Sequence, residues 1–379
     1  MKGKQGLVCM GLLLVLSSCS CHTGKQITAS GLQRKDFQTE VNGQHTDLFT
    51  LSNKQGMEVC ITNYGARVVS ILVPDRNGKR EDVVCGFSTI TEYMEQRQNF
   101  GSTVGRYIGR ILNARFTLDG VEYKLVPNNG KSGHISHGGN PGFADRMWKV
   151  EQADTHRVRL SYLSPDGENG FPGNLKVTLV YSLGEDDNAL DLTYEATTDA
   201  PTVLNLSHHS FFNISGNFTK SVEDQQLWVD ADRFTPYDDK KCVTGEYLPV
   251  AGTPLDFRMP HAIGECIDAD HPQLKVVNGY DHTWELNTKG DDTRPAAWVY
   301  DPASGRKMEI FTTEPGMQIY TGNGLKGKMT GKGGIAYPFR SAVCFETMHF
   351  QDSPNQPGFP STVLRPGEVF RSHTVYKFE

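Results

Sequence analysis

A glutamate and a histidine, far apart in the chain, both occur where their side chains could do chemistry. Glu346 lies in the middle of the apolar run 342–350. An unpaired buried carboxylate is costly, so this one is either paired within the protein or faces a cleft. His209 lies in the predicted strand 202–213, where period-two alternation places it on a polar face and His208 on the apolar face. A carboxylate and an imidazole are typical of general acid–base catalysis, although each can also be purely structural.

Other kinds of chemistry lack the residues that they need. His134 and His137 are close in sequence but have no third metal ligand in a recognisable frame. Five cysteines outside the N-terminal segment show no C-x-x-C spacing, which argues against a zinc site and favours buried free thiols: Cys60, Cys85, Cys242, Cys266 and Cys344. No G-x-S-x-G motif is present, so a serine hydrolase has no nucleophile. The sequence therefore indicates acid–base chemistry and no metal site.

The elements that must position these residues are predicted to be strands. The segment 116–125 contains two alternating runs joined by Asp119-Gly120, a strong hairpin signal. Further alternating runs occur at 157–163, 175–183 and 189–196, and only 89–97 has the pattern of a helix. Strands joined by hairpins, without alternating helices, favour an antiparallel β-sandwich over a parallel α/β sheet. We predict one large all-β domain over residues 36–379.

The N-terminal segment has the pattern of an export signal. Lys2 and Lys4 precede the apolar run 7–16, which is too short to span a membrane. The run Leu16-Ser17-Ser18-Cys19 resembles a bacterial lipobox, in which cleavage precedes the cysteine and the thiol carries lipid. Ordinary secretion with cleavage nearby, or an unprocessed apolar N-terminus, are the alternatives.

The lipobox reading predicts three regions and a location. Residues 1–18 form the lipoprotein signal peptide, and residues 19–35 form a polar tether. Cys19 is the predicted lipid attachment site. The protein is then expected in a bacterial cell envelope, on the periplasmic side or the cell surface, with the lipid anchor as its membrane contact. A monomer is expected.

Composition excludes two classes of protein. The 379 residues contain 38 Lys and Arg against 44 Asp and Glu, a net charge of -6, so no basic surface for nucleic acid is indicated. The chain is 37% hydrophobic and 22% charged, which is typical of a folded globular protein and not of a disordered one.

Six blocks in a fixed order carry a family resemblance. The blocks are 105–111, 136–148, 205–216, 280–282, 314–323 and 346–355. Through them the chain resembles the aldose 1-epimerase, or galactose mutarotase, family from about residue 38 to residue 379. One position departs from the family pattern: His208 stands where members commonly carry Asn. That difference leaves the resemblance at His209 intact and the local hydrogen bonding open.

The resemblance implies a two-layered β-sandwich that interconverts the α and β anomers of free aldohexoses, with galactose and glucose typical. It implies that Glu346, as carboxylate, takes the proton of the anomeric hydroxyl while protonated His209 gives one to the ring oxygen. The residues implied to hold sugar hydroxyls, some of which can equally be structural, are Arg110, His137, Asp281 and Gln318. No cofactor is needed for this chemistry. Some related bacterial members are associated with Ca²⁺, for which no ligands are identifiable here.

Two other classes remain open. A glycoside hydrolase on a similar sandwich needs two carboxylates, and Glu346 with Asp281 can be proposed. A non-catalytic carbohydrate-binding lipoprotein can hold glycans through Trp148 and Trp284. The pairing of His209 with Glu346 favours epimerisation over both, while the preferred sugar is not readable from the sequence.

Overall fold

Strands make up most of the regular structure of residues 26–379, the part of the chain that the computed structural model describes. The first strands are β1 (Glu40–Val41), β2 (Gln44–His45), β3 (Leu48–Ser52), β4 (Glu58–Thr62), β5 (Arg67–Pro74), β6 (Arg80–Asp82), β7 (Ser102–Val104), β8 (Arg110–Ile111), β9 (Arg115–Leu118), β10 (Val121–Lys124), β11 (Ile135–Ser136), β12 (Lys149–Ala153), β13 (Arg157–Ser164), β14 (Leu175–Leu183) and β15 (Ala189–Thr198). They are followed by β16 (Thr202–Val203), β17 (Ser207–His209), β18 (Phe211–Phe212), β19 (Gln226–Val229), β20 (Arg233–Thr235), β21 (Leu248–Pro249), β22 (His261–Ala262), β23 (Asp281–Glu285), β24 (Ala297–Tyr300), β25 (Lys307–Thr312), β26 (Gly316–Tyr320), β27 (Val343–Met348), β28 (Val363–Leu364) and β29 (Phe370–Phe378).

Helices are few and short in the described part of the chain. The α-helices are α1 (Ile90–Gln96) and α2 (Pro272–Val277). Short 3₁₀ turns occur at Arg34–Phe37, Leu112–Ala114, Gly130–Ser132, Phe143–Asp145, Glu168–Gly170, Ile263–Glu265, Lys332–Gly334 and Ser353–Asn355. The helix expected at 89–97 is confirmed: the Thr89 side chain accepts from the Glu92 backbone in a capping box, and Arg97 ends the helix in a left-handed conformation. Helix α2, with only six residues, was not predicted.

Three antiparallel sheets carry the architecture. The largest has nine strands in the order β12-β13-β14-β15-β29-β25-β24-β19-β22. A six-stranded sheet has the order β18-β27-β26-β23-β20-β21, and a four-stranded sheet runs β3-β4-β5-β6. The predicted hairpin is present between β9 and β10, with Asp119 and Gly120 at positive φ of 51° and 81°, as a tight hairpin turn requires.

The core lies between the sheets. In β14, alternate side chains beginning with Leu175 and Val177 are buried, as period-two patterning requires. The largest cluster of buried apolar residues takes side chains from all three sheets, including Ile61 from β4, Leu179 from β14 and Trp284 from β23. Burial on facing sheets is the arrangement of a β-sandwich, so the predicted all-β fold class is confirmed.

The N-terminal predictions fall largely outside the described residues. The predicted signal peptide, 1–18, and the predicted lipid attachment site Cys19 lie outside residues 26–379. From residue 26 the chain packs on the domain: Thr28 and Leu32 are buried, and the Ala29 N–H donates to the Glu58 carboxylate at 2.6 Å. Packing therefore begins before the domain boundary expected at residue 36, because Leu32, an apolar residue of the predicted tether, is buried in a hydrophobic cluster. Among residues 26–379, no helix is long and apolar enough to cross a membrane.

Candidate active site

Three neighbouring strands of the six-stranded sheet carry one side of the site. Across the ladder, Gln318 on β26 is opposite Glu346 on β27 and Thr283 on β23. Directly opposed residues point to the same face of a sheet, and so do residues two apart on one strand. Asp281, two residues before Thr283, therefore joins this polar face. The register alone brings together residues that are up to 65 positions apart in sequence.

His209 reaches the same place from a different pairing. Strand β17 pairs with β7, and β18 then joins the edge of the six-stranded sheet beside β27. The His209 ring stacks on Phe211, with centroids 5.0 Å apart and an interplanar angle of 14°. Its Nε2 lies 3.6 Å from Oε1 of Glu346, and both side chains are more than nine-tenths buried.

The neighbouring histidine points into the core. His208 Nε2 lies 2.6 Å from the hydroxyl oxygen of Ser210, and its Nδ1 lies 3.4 Å from that of Tyr181. The opposite facing of His208 and His209 is thus confirmed, although the predicted continuous strand is broken into β16, β17 and β18. Burial lowers the pKa of His208 to about 3, so this imidazole is neutral at neutral pH.

The short β8–β11 ladder and the loop after β11 supply the opposite wall of the site. Arg110 on β8 is paired with Ser136 on β11, so the next residue, His137, arrives beside Arg110. The His137 backbone has φ of 52°, a conformation uncommon for a residue other than glycine, and its N–H donates to the Gly109 carbonyl at 2.9 Å. A Cβ at Gly138 would lie 2.0 Å from the Gly105 carbonyl oxygen, so this glycine is required by backbone packing.

All six residues predicted for the site line one cleft. They are Glu346, His209, Arg110, His137, Asp281 and Gln318. Its volume is about 240 Å³, below the roughly 300–1,000 Å³ typical of pockets for drug-sized ligands. A polar cleft of this size suits one small, hydroxyl-rich molecule.

A hydrogen-bond network that the sequence did not reveal fixes the Gln318 amide. Its oxygen accepts from the hydroxyl of Thr283 at 2.5 Å and from Nε2 of Gln351 at 3.3 Å. Its nitrogen donates to Asp281 at 2.6 Å and to the Tyr237 hydroxyl at 3.4 Å. The Tyr237 hydroxyl also accepts from Nε2 of Gln351 at 2.7 Å. Gln351 lies within the 346–355 family block, so the sequence could have indicated it as a site residue. Tyr237 lies in a loop with no motif, and nothing in the sequence indicated it.

Burial sets the electrostatics of the acid–base pair. Desolvation raises the pKa of Glu346 well above its usual value, with Asp281 adding to the shift and Arg110 opposing it. Desolvation likewise lowers the pKa of His209 well below its usual value, and neighbouring His137 adds to that shift. The protein environment therefore favours neutral Glu346 and neutral His209, whereas the charged pair was expected from the family resemblance. The neutral pair and the charged pair carry the same total number of protons and differ only in which residue holds one of them.

A key polar atom in the cleft is left free by the protein. Nδ1 of His209 is buried without a hydrogen-bond partner among residues 26–379. The Glu346 carboxylate has the His209 imidazole beside it, at 3.6 Å. Buried polar atoms are nearly always paired, so an unpaired one at the base of a cleft indicates a group kept for a ligand.

The carbohydrate-binding alternative loses its residues, and the two histidines close in sequence do not share the site. Trp148 and Trp284 are fully buried, and their indole N–H groups donate to the Phe143 and Leu255 carbonyls, so neither can hold a glycan at the surface. His134 accepts from the Asn113 N–H through Nδ1 and does not line the cleft that holds His137. Within the described chain, one cluster has three potential metal ligands: His209, Cys344 and Glu346.

Comparison with known proteins agrees with the geometry. The sequence model of the family described as "Aldose 1-epimerase" matches residues 47–377. The chain belongs to the aldose 1-epimerase family. It is 39% identical over 323 residues to the human galactose mutarotase, covering 85% of this chain and 91% of that protein. It is 36% identical over 339 residues to the aldose 1-epimerase of Escherichia coli K12, covering 89% and 96% respectively.

Solved structures of the aldose 1-epimerase family share the fold. An aldose epimerase homologue from C. elegans superposes with a TM-score of 0.81 at 31% identity, over 88% of this chain and 99% of that chain. Galactose 1-epimerase from Lactobacillus acidophilus gives 0.78 at 28% identity, over 90% and 97%. The family resemblance seen in the six sequence blocks is therefore confirmed over nearly the whole described chain.

Proposed function

We propose that this isomerase is an aldose 1-epimerase acting on free aldohexoses, with galactose and glucose as substrates. The observation that carries the proposal is the His209–Glu346 pair, 3.6 Å apart at the base of a small polar cleft. Family membership supports mutarotation of aldoses, and the relatives named above include galactose mutarotases.

The separation of the pair fits the chemistry of ring opening. The anomeric hydroxyl oxygen and the ring oxygen are both bonded to C1, so a base acting on one and an acid acting on the other must be neighbours. Glu346 takes the proton of the anomeric hydroxyl while His209 gives one to the ring oxygen, and the C1–O5 bond breaks. The aldehyde rotates about the C1–C2 bond and closes on its other face. When the ring opens, Glu346 gains one proton and His209 loses one. Ring closure reverses both transfers and restores the pair.

The charged form of the pair must be favoured by the sugar. Hydrogen bonds from sugar hydroxyls to the Glu346 carboxylate stabilise its charged form, and the ring oxygen accepts from the imidazolium. These interactions replace the solvation that burial removes. No proton has to enter from solvent, because the neutral and charged pairs hold the same number.

Four further residues are proposed to hold the sugar hydroxyls. Asp281 is an acceptor fixed by Gln318, and Arg110 is a donor at the opposite wall. Burial, with a contribution from Arg110, lowers the pKa of His137 to about 4, so this ring is neutral. Its Nδ1 accepts from the Gly109 N–H at 3.4 Å, which leaves Nε2–H as its donor. The set offers both donors and acceptors, as hydroxyl groups require.

Polarimetry on freshly dissolved α-D-galactose tests the proposed reaction. Purified protein is expected to accelerate the approach of optical rotation to the anomeric equilibrium, in proportion to enzyme concentration. Absence of acceleration for both galactose and glucose would contradict the proposal. Release of monosaccharide from an oligosaccharide would instead support the hydrolase that uses Glu346 and Asp281. Light scattering on the same sample tests the expected monomer.

We also propose that the protein is a lipoprotein held to a bacterial cell envelope through Cys19. The support is the charged start, short apolar run and Leu16-Ser17-Ser18-Cys19 sequence. Replacing Cys19 by Ala is expected to move the protein from the membrane fraction to the soluble fraction, because one buried acyl chain contributes about 0.8 kcal/mol per CH₂. Cell fractionation with immunoblotting measures the distribution, and a Cys21→Ala variant serves as the control. A Cys19→Ala protein that remains with the membrane like the wild type would show that lipidation is not the anchor.

A further inference from the structure

One thiol beside the acid–base pair has no part in the proposed reaction. Cys344 lies on β27 two residues before Glu346, so both side chains project from the same face of that strand. Cys344 is fully buried and pairs across the sheet with Phe211 and Tyr320. One ligand atom each from His209, Cys344 and Glu346 all lie within 4.8 Å of one another.

The spacing of the His209 and Glu346 ligand atoms is close to that of a zinc site. Around a tetrahedral Zn²⁺, with bonds of about 2.0–2.3 Å, the N, O and S ligand atoms lie roughly 3.3–3.6 Å apart. Nε2 of His209 and Oε1 of Glu346 are already 3.6 Å apart. The sulfur of Cys344 lies within 4.8 Å of both ligand atoms and would have to approach them further to complete the shell. Three protein ligands leave the fourth position open to water.

The charge balance also suits a divalent cation. On binding, Zn²⁺ displaces the protons of the Cys344 thiol and the Glu346 carboxyl to solvent, so a thiolate and a carboxylate neutralise the ion within a buried site. Nε2 of His209 and Oε1 of Glu346 are 3.6 Å apart, so no hydrogen bond between them has to be broken when the ion enters. The thiolate selects soft ions over Ca²⁺ and Mg²⁺, which prefer oxygen ligands.

We propose that His209, Cys344 and Glu346 form an inhibitory site for soft divalent cations, of which Zn²⁺ fits the ligand set best. A bound ion occupies both the acid and the base, so metal and sugar exclude one another. Binding of the metal is independent of the proposed reaction, whereas its inhibitory effect rests on that reaction.

A second thiol–imidazole pair provides the matched control. The sulfur of Cys242 lies 3.3 Å from Nε2 of His134 in a partly exposed position. Nδ1 of His134 accepts from the Asn113 N–H at 2.9 Å, so the ring hydrogen is on Nε2 and faces the sulfur. This pair therefore presents no free nitrogen lone pair to a metal, and it belongs to no cluster of three ligands in the described chain.

Zinc titration of mutarotation tests the inhibition. Zn²⁺ is expected to inhibit the wild type reversibly, with recovery on adding EDTA and with an apparent inhibition constant that rises with galactose concentration. Cys344→Ser is expected to raise that constant about tenfold or more, since it removes the soft ligand. Cys242→Ser is expected to leave it unchanged. Equal sensitivity of Cys344→Ser and the wild type, or loss of sensitivity in Cys242→Ser, would overturn the proposal.

A binding measurement separates the metal site from the reaction. Cd²⁺ added to purified protein gives near-ultraviolet thiolate-to-metal absorption, which does not require activity. The wild type is expected to show one more metal-bound thiolate than Cys344→Ser, a difference that removes the contribution of other cysteines. Should that variant fail to fold, Glu346→Gln is expected to weaken the same signal by removing another ligand. A wild type with no absorption that depends on Cys344 or Glu346 refutes the site, whatever polarimetry shows.

Discussion

Glu346→Gln is expected to lower kcat for mutarotation by about 10²–10⁴-fold while sugar binding is retained. The amide has nearly the same shape as the carboxylate but cannot take the proton of the anomeric hydroxyl. Polarimetry gives kcat, and isothermal titration calorimetry gives the galactose Kd, which we expect to change little. A variant that keeps wild-type kcat would show that Glu346 is not the base.

The same substitution is expected to raise Tm relative to the wild type, by an amount that grows as pH rises. Burial raises the pKa of Glu346 well above the ordinary 4.5, so the native protein keeps a proton that the unfolded chain releases. Ionisation of this residue therefore lowers the free energy of unfolding as pH rises from about 4.5 through the native pKa. Glutamine has no such proton, so the Tm advantage of Glu346→Gln should grow over that window. Thermal unfolding between pH 4 and pH 8 measures it, and a constant Tm difference would contradict the assigned direction.

His209→Asn is expected to lower kcat by a similar factor of about 10²–10⁴, because no group then protonates the ring oxygen. Loss should appear in kcat for both anomers, since opening and closing use the same pair. The pH dependence provides a second readout. The wild-type profile reports the coupled pair, and the limb that belongs to the imidazole should vanish from the residual activity of the variant.

His208→Asn is the matched control for that variant. It changes the adjacent residue in the same way, but the His208 side chain contacts Ser210 and Tyr181 in the core and lies outside the cleft. We expect kcat within about threefold of the wild type and a change in Tm, since loss of a buried hydrogen bond costs roughly 1–3 kcal/mol. Equal losses of kcat in both variants would mean that the damage at position 209 is structural.

Most of the sheet could be predicted because its signals are local. The hairpin at Asp119-Gly120 and the alternating runs that became β13, β14 and β15 depend on neighbouring residues only. Helix α1 was predicted from the pattern of residues 89–97. The region around His209 was predicted less well: the continuous strand expected at 202–213 is broken into β16, β17 and β18, of two, three and two residues. Only β18 of these belongs to the six-stranded sheet.

Tertiary pairing decided which polar residues meet. Glu346, Gln318 and Thr283 are brought side by side by the β23-β26-β27 register, which involves residues distant in sequence. The two tryptophans show that residue type alone can mislead. Trp148 and Trp284 were plausible glycan contacts by type, but both are buried in the core. Burial depends on what packs against a residue, which local patterns do not specify.

By itself, the sequence determined an all-β sandwich, the facing of His208 and His209, and a set of six residues that the ordered blocks assign to one site. Period-two alternation and family blocks are properties of the chain alone, so no folded structure is needed to read them. Only the tertiary structure decided the 3.6 Å spacing of His209 and Glu346, the network that holds Gln318, and the position of Cys344 beside the pair. Distances, desolvation and protonation depend on strands that pair across the whole chain, and that pairing exists only in the fold.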